Sequence, residues 1–414
     1  MATTENFVIV GASLAGATAA QALREEGFDG RVVLIGEEPN RPYERPPLSK
    51  GYLLGTSPRE DVFVHPADWY PEHDVELRVG TTATAIDRVA REVVLAGGER
   101  IGYDRLLLTT GSVPRRLTIP GAADYAVHYL RRIEDSERIR AAFARASRVA
   151  IIGAGWIGLE TAAAARAAGL EVTVLEAAEL PLLRVLGPEV AQVFAGLHRE
   201  HGVDLRLGVQ VAALTGTGAD GRGGGAVSGV ELGDGTTVPA DLVLVGVGIA
   251  PASALAADAG LDVTNGIRVD EHLRTSDPAV LAAGDVANAF HPTFGRPVRV
   301  EHWENARRQG VLAAQSMLGQ EAVFDRLPYF FSDQYDLGME YVGYVEPGGY
   351  DKVVLRGNVD GREFMAFWLA GGRVLAGMNV NVWDVVPDVE ALITSGRRVD
   401  ETRLADPGVP LADA

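Results

Sequence analysis

The feature that most constrains this chain is a pattern that occurs twice. Phe7-Val8-Ile9-Val10-Gly11-Ala12-Ser13-Leu14-Ala15-Gly16 is answered 142 residues later by Val149-Ala150-Ile151-Ile152-Gly153-Ala154-Gly155-Trp156-Ile157-Gly158. Each copy is a short apolar run, a glycine-rich turn and a helical stretch, to Arg24 in the first and Ala168 in the second. A second apolar run follows each, Val32 to Ile35 and Val172 to Leu175, with an acid after it, Glu37 and Glu176. This order predicts two strand–turn–helix–strand units of an α/β fold. The first glycine makes the tight turn, the second lets a pyrophosphate approach the backbone, and the third lets helix and strand pack closely. The helix start offers unpaired N–H groups and a positive dipole end to the phosphates, and the acid receives ribose hydroxyls. The first copy carries Ser13 in the middle position, small enough to keep the approach and able to bond a phosphate oxygen. Two such units predict two bound dinucleotides.

Composition narrows the chemistry. A chain of 414 residues has room for two or three domains at roughly 150 residues each. It has no cysteine, which excludes disulfide exchange, thiol nucleophiles and cysteine-ligated metal clusters. Acids outnumber bases by 56 to 38, for a net charge of −18, which excludes a nucleic-acid partner. No apolar stretch approaches the roughly 18 residues of a membrane span. Met1 to Asn6 carries no positive charge and the run Phe7 to Val10 is too short for a secretory signal. The expectation is a soluble, cytoplasmic protein without a membrane partner, a monomer or weak dimer. His198 and His201 lack the carboxylate–histidine spacing of a metal site, so they read as a solvated helix end before Gly202, and no metal is expected. There is no Gly-x-Ser-x-Gly nucleophile turn.

Further stretches point to a family. Tyr43-Glu44-Arg45-Pro46-Pro47-Leu48-Ser49-Lys50-Gly51-Tyr52-Leu53 taken alone is a proline-rich loop, yet it holds one of only two lysines, Lys50 and Lys352. With it stand Leu108-Thr109-Thr110-Gly111, Ala282-Ala283-Gly284-Asp285, Val300-Glu301-His302-Trp303-Glu304-Asn305-Ala306 and Pro328-Tyr329-Phe330-Phe331-Ser332-Asp333-Gln334. In these the chain resembles, over nearly its whole length, the FAD-dependent NADH:ferredoxin reductases of bacterial cytochrome P450 and Rieske oxygenase systems. One departure is Phe331, where that family often has tryptophan.

The resemblance implies an α/β fold of the glutathione reductase type: two Rossmann-like domains and a C-terminal α/β domain. The FAD domain would be split over residues 1–113 and 240–327, with the NADH domain at 114–239 and the last domain at 328–414. FAD would be held by Gly11, Ser13, Ala15, Gly16, Glu37, Arg45, Lys50, Ala83, Arg131, Asp285 and Trp303. NADH would be held by Gly153, Gly155, Trp156, Ile157, Gly158, Glu160, Glu176 and Gly248. Lys50, near the flavin N5 and paired with Glu160, and Glu160, orienting the nicotinamide, would be the catalytic pair. Local readings compete: Lys50 as a solvated loop lysine, Asp285 as a helix cap, Trp303 as core, and Glu160 as a helix-dipole partner. Glu176 is followed by Ala177 and Ala178, with no arginine for a 2′-phosphate, so NADH is expected over NADPH.

The implied activity passes hydride from NADH to the flavin, which yields single electrons to a [2Fe–2S] ferredoxin. Two other readings remain open: a rubredoxin partner, and a non-catalytic NADH-sensing flavoprotein of the apoptosis-inducing-factor type. Because such ferredoxins are acidic, docking needs a basic patch acting within a Debye length of ~8–10 Å. The expected patch is Arg296, Arg299, Arg307 and Arg308, around Trp303.

Overall fold

A computed structural model describes residues 5–218 and 221–414 of the chain. They divide into two compact units. One comprises the chain up to Pro46 with Pro58–Val113 and Ile249–Arg326; the other comprises Pro47–Ser57, Pro114–Gly248 and Leu327–Ala414.

The first unit is built on a five-stranded parallel sheet in the order Val280–Ala282, Arg105–Leu108, Asn6–Val10, Arg31–Ile35, Val75–Arg78. Its central strands are apolar along their length because both faces of a parallel sheet are covered. Val10 stands opposite both Ile35 and Leu108, so three strands end at one level. At that level Gly11 turns the chain into the helix Leu14–Glu25. The helix Trp303–Met317 packs on this helix, and Gly310 makes the approach possible: a Cβ there would lie 2.6 Å from the Ala15 carbonyl oxygen.

The second unit repeats the plan. Its five-stranded parallel sheet runs Asp204–Leu207, Glu171–Glu176, Arg148–Ile152, Leu242–Val245, Val127–Tyr129, and Ile152 stands opposite Leu175 and Val245. Gly153 then turns the chain into the helix Trp156–Ala167. The same unit holds a C-terminal antiparallel sheet in the order Tyr329–Gln334, Leu337–Gly343, Arg373–Val380, Glu363–Ala370, Lys352–Asn358. One apolar core joins it to the nucleotide-type layer, through Phe194, Leu197, Phe330, Tyr341 and Trp368. The Trp368 indole donates to the Leu186 carbonyl at 3.0 Å.

Strand register shows that the two acids are not equivalent. Val10 corresponds to Ile152 and Ile35 to Leu175, so Glu176 corresponds to Gly36, and Glu37 stands one place further on. A side chain at Gly36 is excluded sterically, since its Cβ would meet the Ala12 Cβ at 2.5 Å.

Candidate functional site

The glycine turns separate what the fold demands from what it leaves open. At Gly11 (φ 122°) and Gly153 (φ 101°) the backbone is left-handed, and a Cβ would strike Thr109 O at 2.1 Å or Gly246 O at 2.5 Å. At Gly16 and Gly158 a Cβ would strike Gly11 O at 2.2 Å or Gly153 O at 2.0 Å. The middle position differs: a Cβ on Gly155 would meet nothing nearer than Gly246 O at 3.9 Å. The fold therefore tolerates a side chain there, and its first-copy counterpart is Ser13. Ser13 and Gly155 are the N-caps of their helices, in extended conformation, and the Ser13 hydroxyl makes no capping bond to its own helix. Neither helix has an acid in its first turn. Neither start is capped by a side chain or compensated by an acid, which fits a dinucleotide pyrophosphate at each.

Around these turns the expected residues fall in both units. In the first, Ala15 is buried in its helix beside Gly284, and Glu37 is exposed just past its strand. Arg45 pairs with Glu38 at 3.0 Å and with the Tyr43 hydroxyl at 3.1 Å. Ala83 opens the strand Ala83–Asp87. Asp285 lies in a single 3-10 turn, Gly284–Val286, too short for the cap of a longer helix. Trp303 is half-buried as the first residue of its helix, with the Arg307 guanidinium 5.5 Å from its ring centre. In the second unit lie Lys50 and Arg131 together with all the residues expected at NADH. Arg131 leads into the helix Ile133–Phe143, where Asp135 accepts its backbone N–H at 3.0 Å. Trp156 packs edge-on to Phe194 and Phe330, whereas Ile157 is exposed. Gly248 has φ 100° and its carbonyl accepts from Arg115 N at 2.9 Å. The Glu176 carboxylate clamps the second glycine turn, accepting from Ala154 N at 2.7 Å and Ala178 N at 2.9 Å.

The densest polar contact in the second unit centres on Glu160, which is 6% exposed. Its Oε2 accepts from Lys50 Nζ at 2.7 Å and from the Ser49 hydroxyl, and its Oε1 accepts from the Ser332 hydroxyl at 2.7 Å. A carboxylate so enclosed would be costly without partners, and a cation with two hydroxyls offsets that cost. Lys50 is thus an ion-paired, only partly exposed side chain, not a freely solvated one. Ser49 and Ser332 carry no signal of their own in the sequence. The one available hint was alternation: on the strand Tyr329–Gln334 the buried positions are Phe330, Ser332 and Gln334, two of them polar.

The expected arginine patch is partly neutralised. Arg307 and Arg308 both bond Glu304, with Nε–Oε distances of 2.9 and 2.6 Å. Arg299 is only 11% exposed and pairs with Glu301, while Arg296 opens the strand Arg296–Val298. Arg307, at 52% exposure, is the most open of the three ion-paired arginines.

His198 corrects an expectation. It is not at a solvated helix end but fully buried, bonded to Gln334 Oε1 at 2.8 Å. The reason is the helix Leu183–Glu200, which turns this side chain inward against the C-terminal sheet. Among the described residues no cluster could hold a metal ion.

Burial pushes His198 and His302 each down to about 4. In the unfolded chain a histidine titrates near 6.5. Between those values the unfolded chain binds the proton and the folded chain does not. Stability is therefore complete above about pH 6.5 and falls as pH drops to about 4, by up to about 3 kcal/mol for the fully buried His198 and by less for the partly exposed His302. Denaturant melts across this range should show it, and His198→Gln should flatten the slope; an unchanged slope would remove His198 from the account.

Fold and turns together define a two-dinucleotide oxidoreductase. The chain matches the model of the pyridine nucleotide-disulphide oxidoreductase family over residues 5–310 and a reductase C-terminal model over 329–414. It is 40% identical to putidaredoxin reductase CamA of Pseudomonas putida, covering 100% of this chain and 97% of that protein. It is 42% identical to the ferredoxin–NAD(+) reductase component of the anthranilate 1,2-dioxygenase system of Burkholderia cepacia, covering 98% of each. The crystal structure of the covalent putidaredoxin reductase–putidaredoxin complex superposes with a TM-score of 0.93 at 39% identity, covering 99% of this chain and 97% of that one. The chain belongs to the pyridine nucleotide-disulphide oxidoreductase family, in its ferredoxin–NAD(+) reductase branch. Its cofactors are FAD and NAD(H). Lacking cysteine, it runs none of the disulfide chemistry in the family's name.

Proposed function

We propose that this protein is the reductase of an oxygenase system, carrying electrons from NADH through FAD to a [2Fe–2S] ferredoxin that serves a cytochrome P450 or a Rieske oxygenase. The observation that carries this is full-length similarity to ferredoxin reductases of such systems, joined to two intact glycine turns. Bound FAD would supply the conversion of a two-electron hydride donor into two single-electron steps. The chain's residues bind and orient. FAD would be held by the turn from Gly11 to Gly16 with Glu37, Arg45, Ala83, Asp285 and Trp303, together with Lys50 and Arg131. NADH would be held by the turn from Gly153 to Gly158 with Glu176 and Gly248. The Glu160 carboxylate, fixed by Lys50 and two serines, would orient the nicotinamide. A cytoplasmic location fits the use of NADH, and among the described residues no helix is long and apolar enough to cross a membrane.

Coenzyme choice would rest on Glu176. Its carboxylate, already held by two backbone N–H groups, repels a 2′-phosphate. Replacing Glu176 by Gln and Ala177 by Arg should move the kcat/KM ratio toward NADPH by about tenfold, or ~1.4 kcal/mol. An unchanged ratio would place ribose recognition elsewhere.

For the ferredoxin, the docking face we assign contains Arg296, Arg307, Arg308 and the largely buried Arg299. NADH-driven cytochrome c reduction with a panel of [2Fe–2S] ferredoxins tests the function, and failure with all of them would sink it. Arg307→Glu should raise the ferredoxin KM about threefold or more and flatten its salt dependence, because rim charges act on encounter. Ferricyanide reduction by NADH should not change. Identical ferredoxin kinetics at every ionic strength would move the docking face.

A further inference from the structure

The buried polar groups around Glu160 do not end at Ser332. Gln334 Nε2 lies 3.2 Å from Ser332 Oγ, Gln334 Oε1 lies 2.8 Å from His198 Nε2, and Tyr335 Oη lies 3.5 Å from His198 Nδ1. Ser332, Gln334 and His198 are each at most 1% exposed, all within the second unit.

With His198 neutral, as its burial favours, only one assignment of protons satisfies this row. A serine hydroxyl has a single proton, and Ser332 must give it to the Glu160 carboxylate, which can only accept. Ser332 is then an acceptor toward Gln334, so the amide must present its NH₂ there and its carbonyl oxygen to His198. If the amide were turned over, its oxygen would compete with Glu160 for the one hydroxyl proton. His198 must therefore carry its proton on Nε2 and accept from Tyr335 at Nδ1. A neutral imidazole meets this requirement, and burial holds His198 in that form. Every donor in the row points toward Glu160.

We propose that His198, Gln334 and Ser332 form a one-way hydrogen-bond relay that fixes the Glu160 carboxylate for hydride transfer, which makes all three positioning residues of the reductase. The proposal rests on the reading of Lys50 and Glu160 as the pair that orients the nicotinamide. None of the three is placed against a cofactor. They act through the carboxylate, by removing its freedom to rotate away from Lys50. Amide Gln334 in the middle of the row cannot pass a proton on, so the relay sets orientation and does not conduct.

The test uses the full-length protein in Ser332→Ala, Gln334→Met, His198→Met and His198→Gln forms, with Lys50→Met alongside. His198→Gln keeps an amide donor near the position of Nε2, whereas His198→Met does not. The first readout needs no turnover: ¹⁵N NMR of histidine-labelled, flavin-free protein. It should show His198 neutral with its proton on Nε2 at about pH 6, and a displaced signal in Gln334→Met. The second is the rate of flavin reduction by NADH in the loaded protein. Ser332→Ala, Gln334→Met and His198→Met should each slow it by about threefold or more, and His198→Gln should recover most of the loss. A His198 that is doubly protonated, or protonated on Nδ1, overturns the relay. So does a parental rate in Ser332→Ala when Lys50→Met is slow, and Ser332→Ala decides even if His198→Met does not fold. A parental rate in Lys50→Met overturns the underlying reading of the Lys50–Glu160 pair, and the relay with it.

Discussion

Lys50→Met should slow reduction of the bound flavin by NADH by about a hundredfold, the lower end of the range seen when a preorganised polar partner is removed from a reacting centre. The same substitution should also lower thermal stability. Glu160 is 6% exposed, and without Lys50 its carboxylate keeps two hydroxyl donors but loses its countercharge. Leaving one partner of a buried pair behind is destabilising, by up to about 3–5 kcal/mol where both are enclosed. Lys50 is 22% exposed on its side chain, so water reduces that cost. The two effects can be separated. In Lys50→Met/Glu160→Gln the buried charge is gone, and stability should return while flavin reduction stays slow. If the rate returns with the stability, the pair is a structural ion pair and nothing more. Stopped-flow loss of the flavin's visible absorbance and thermal melts on the three proteins decide it.

The second large effect divides two glycines three residues apart. Gly158→Ala puts a Cβ 2.0 Å from the Gly153 carbonyl oxygen, so helix and turn must separate. That overpacking should cost about 3 kcal/mol or more, and nucleotide binding would fail through loss of the fold. Gly155→Ala meets nothing within 3.9 Å, and its backbone angles suit any residue. It should melt as the parent does while NADH binding weakens about tenfold, or ~1.4 kcal/mol, because the methyl stands where the pyrophosphate comes close. Calorimetric titration of NADH with both variants separates the outcomes. Unweakened binding in Gly155→Ala would mean the phosphates pass elsewhere.

These glycines explain why so much was legible. A turn that needs left-handed backbone at Gly11 and Gly153, and a helix that needs a missing Cβ at Gly16 and Gly158, impose their requirements within a few residues. Local requirements leave local spacing, and spacing can be read. The environment of Glu160 follows the opposite rule. Its cation comes from 110 residues earlier in the chain and its second hydroxyl from 172 residues later. Nothing near Glu160 in sequence announces either. His198 was misread for the same reason: a histidine near the end of a helix looks solvated until the sheet that covers it is placed. The off-by-one relation between Glu37 and Glu176 was also hidden, because only strand register shows Gly36 in the equivalent place.

The short excursion Pro47–Ser57 has a practical meaning for anyone who would recombine such reductases. It belongs to the second unit although the chain on either side of it belongs to the first. A contiguous cassette spanning Pro114–Gly248 therefore carries Glu160 but leaves behind Ser49, Lys50 and Ser332, every side chain that satisfies its carboxylate. Transplanted into a related host, that cassette would inherit whatever the host supplies at those three places. A graft meant to carry Glu160 together with the side chains that hold it has to travel as three pieces of gene, not one.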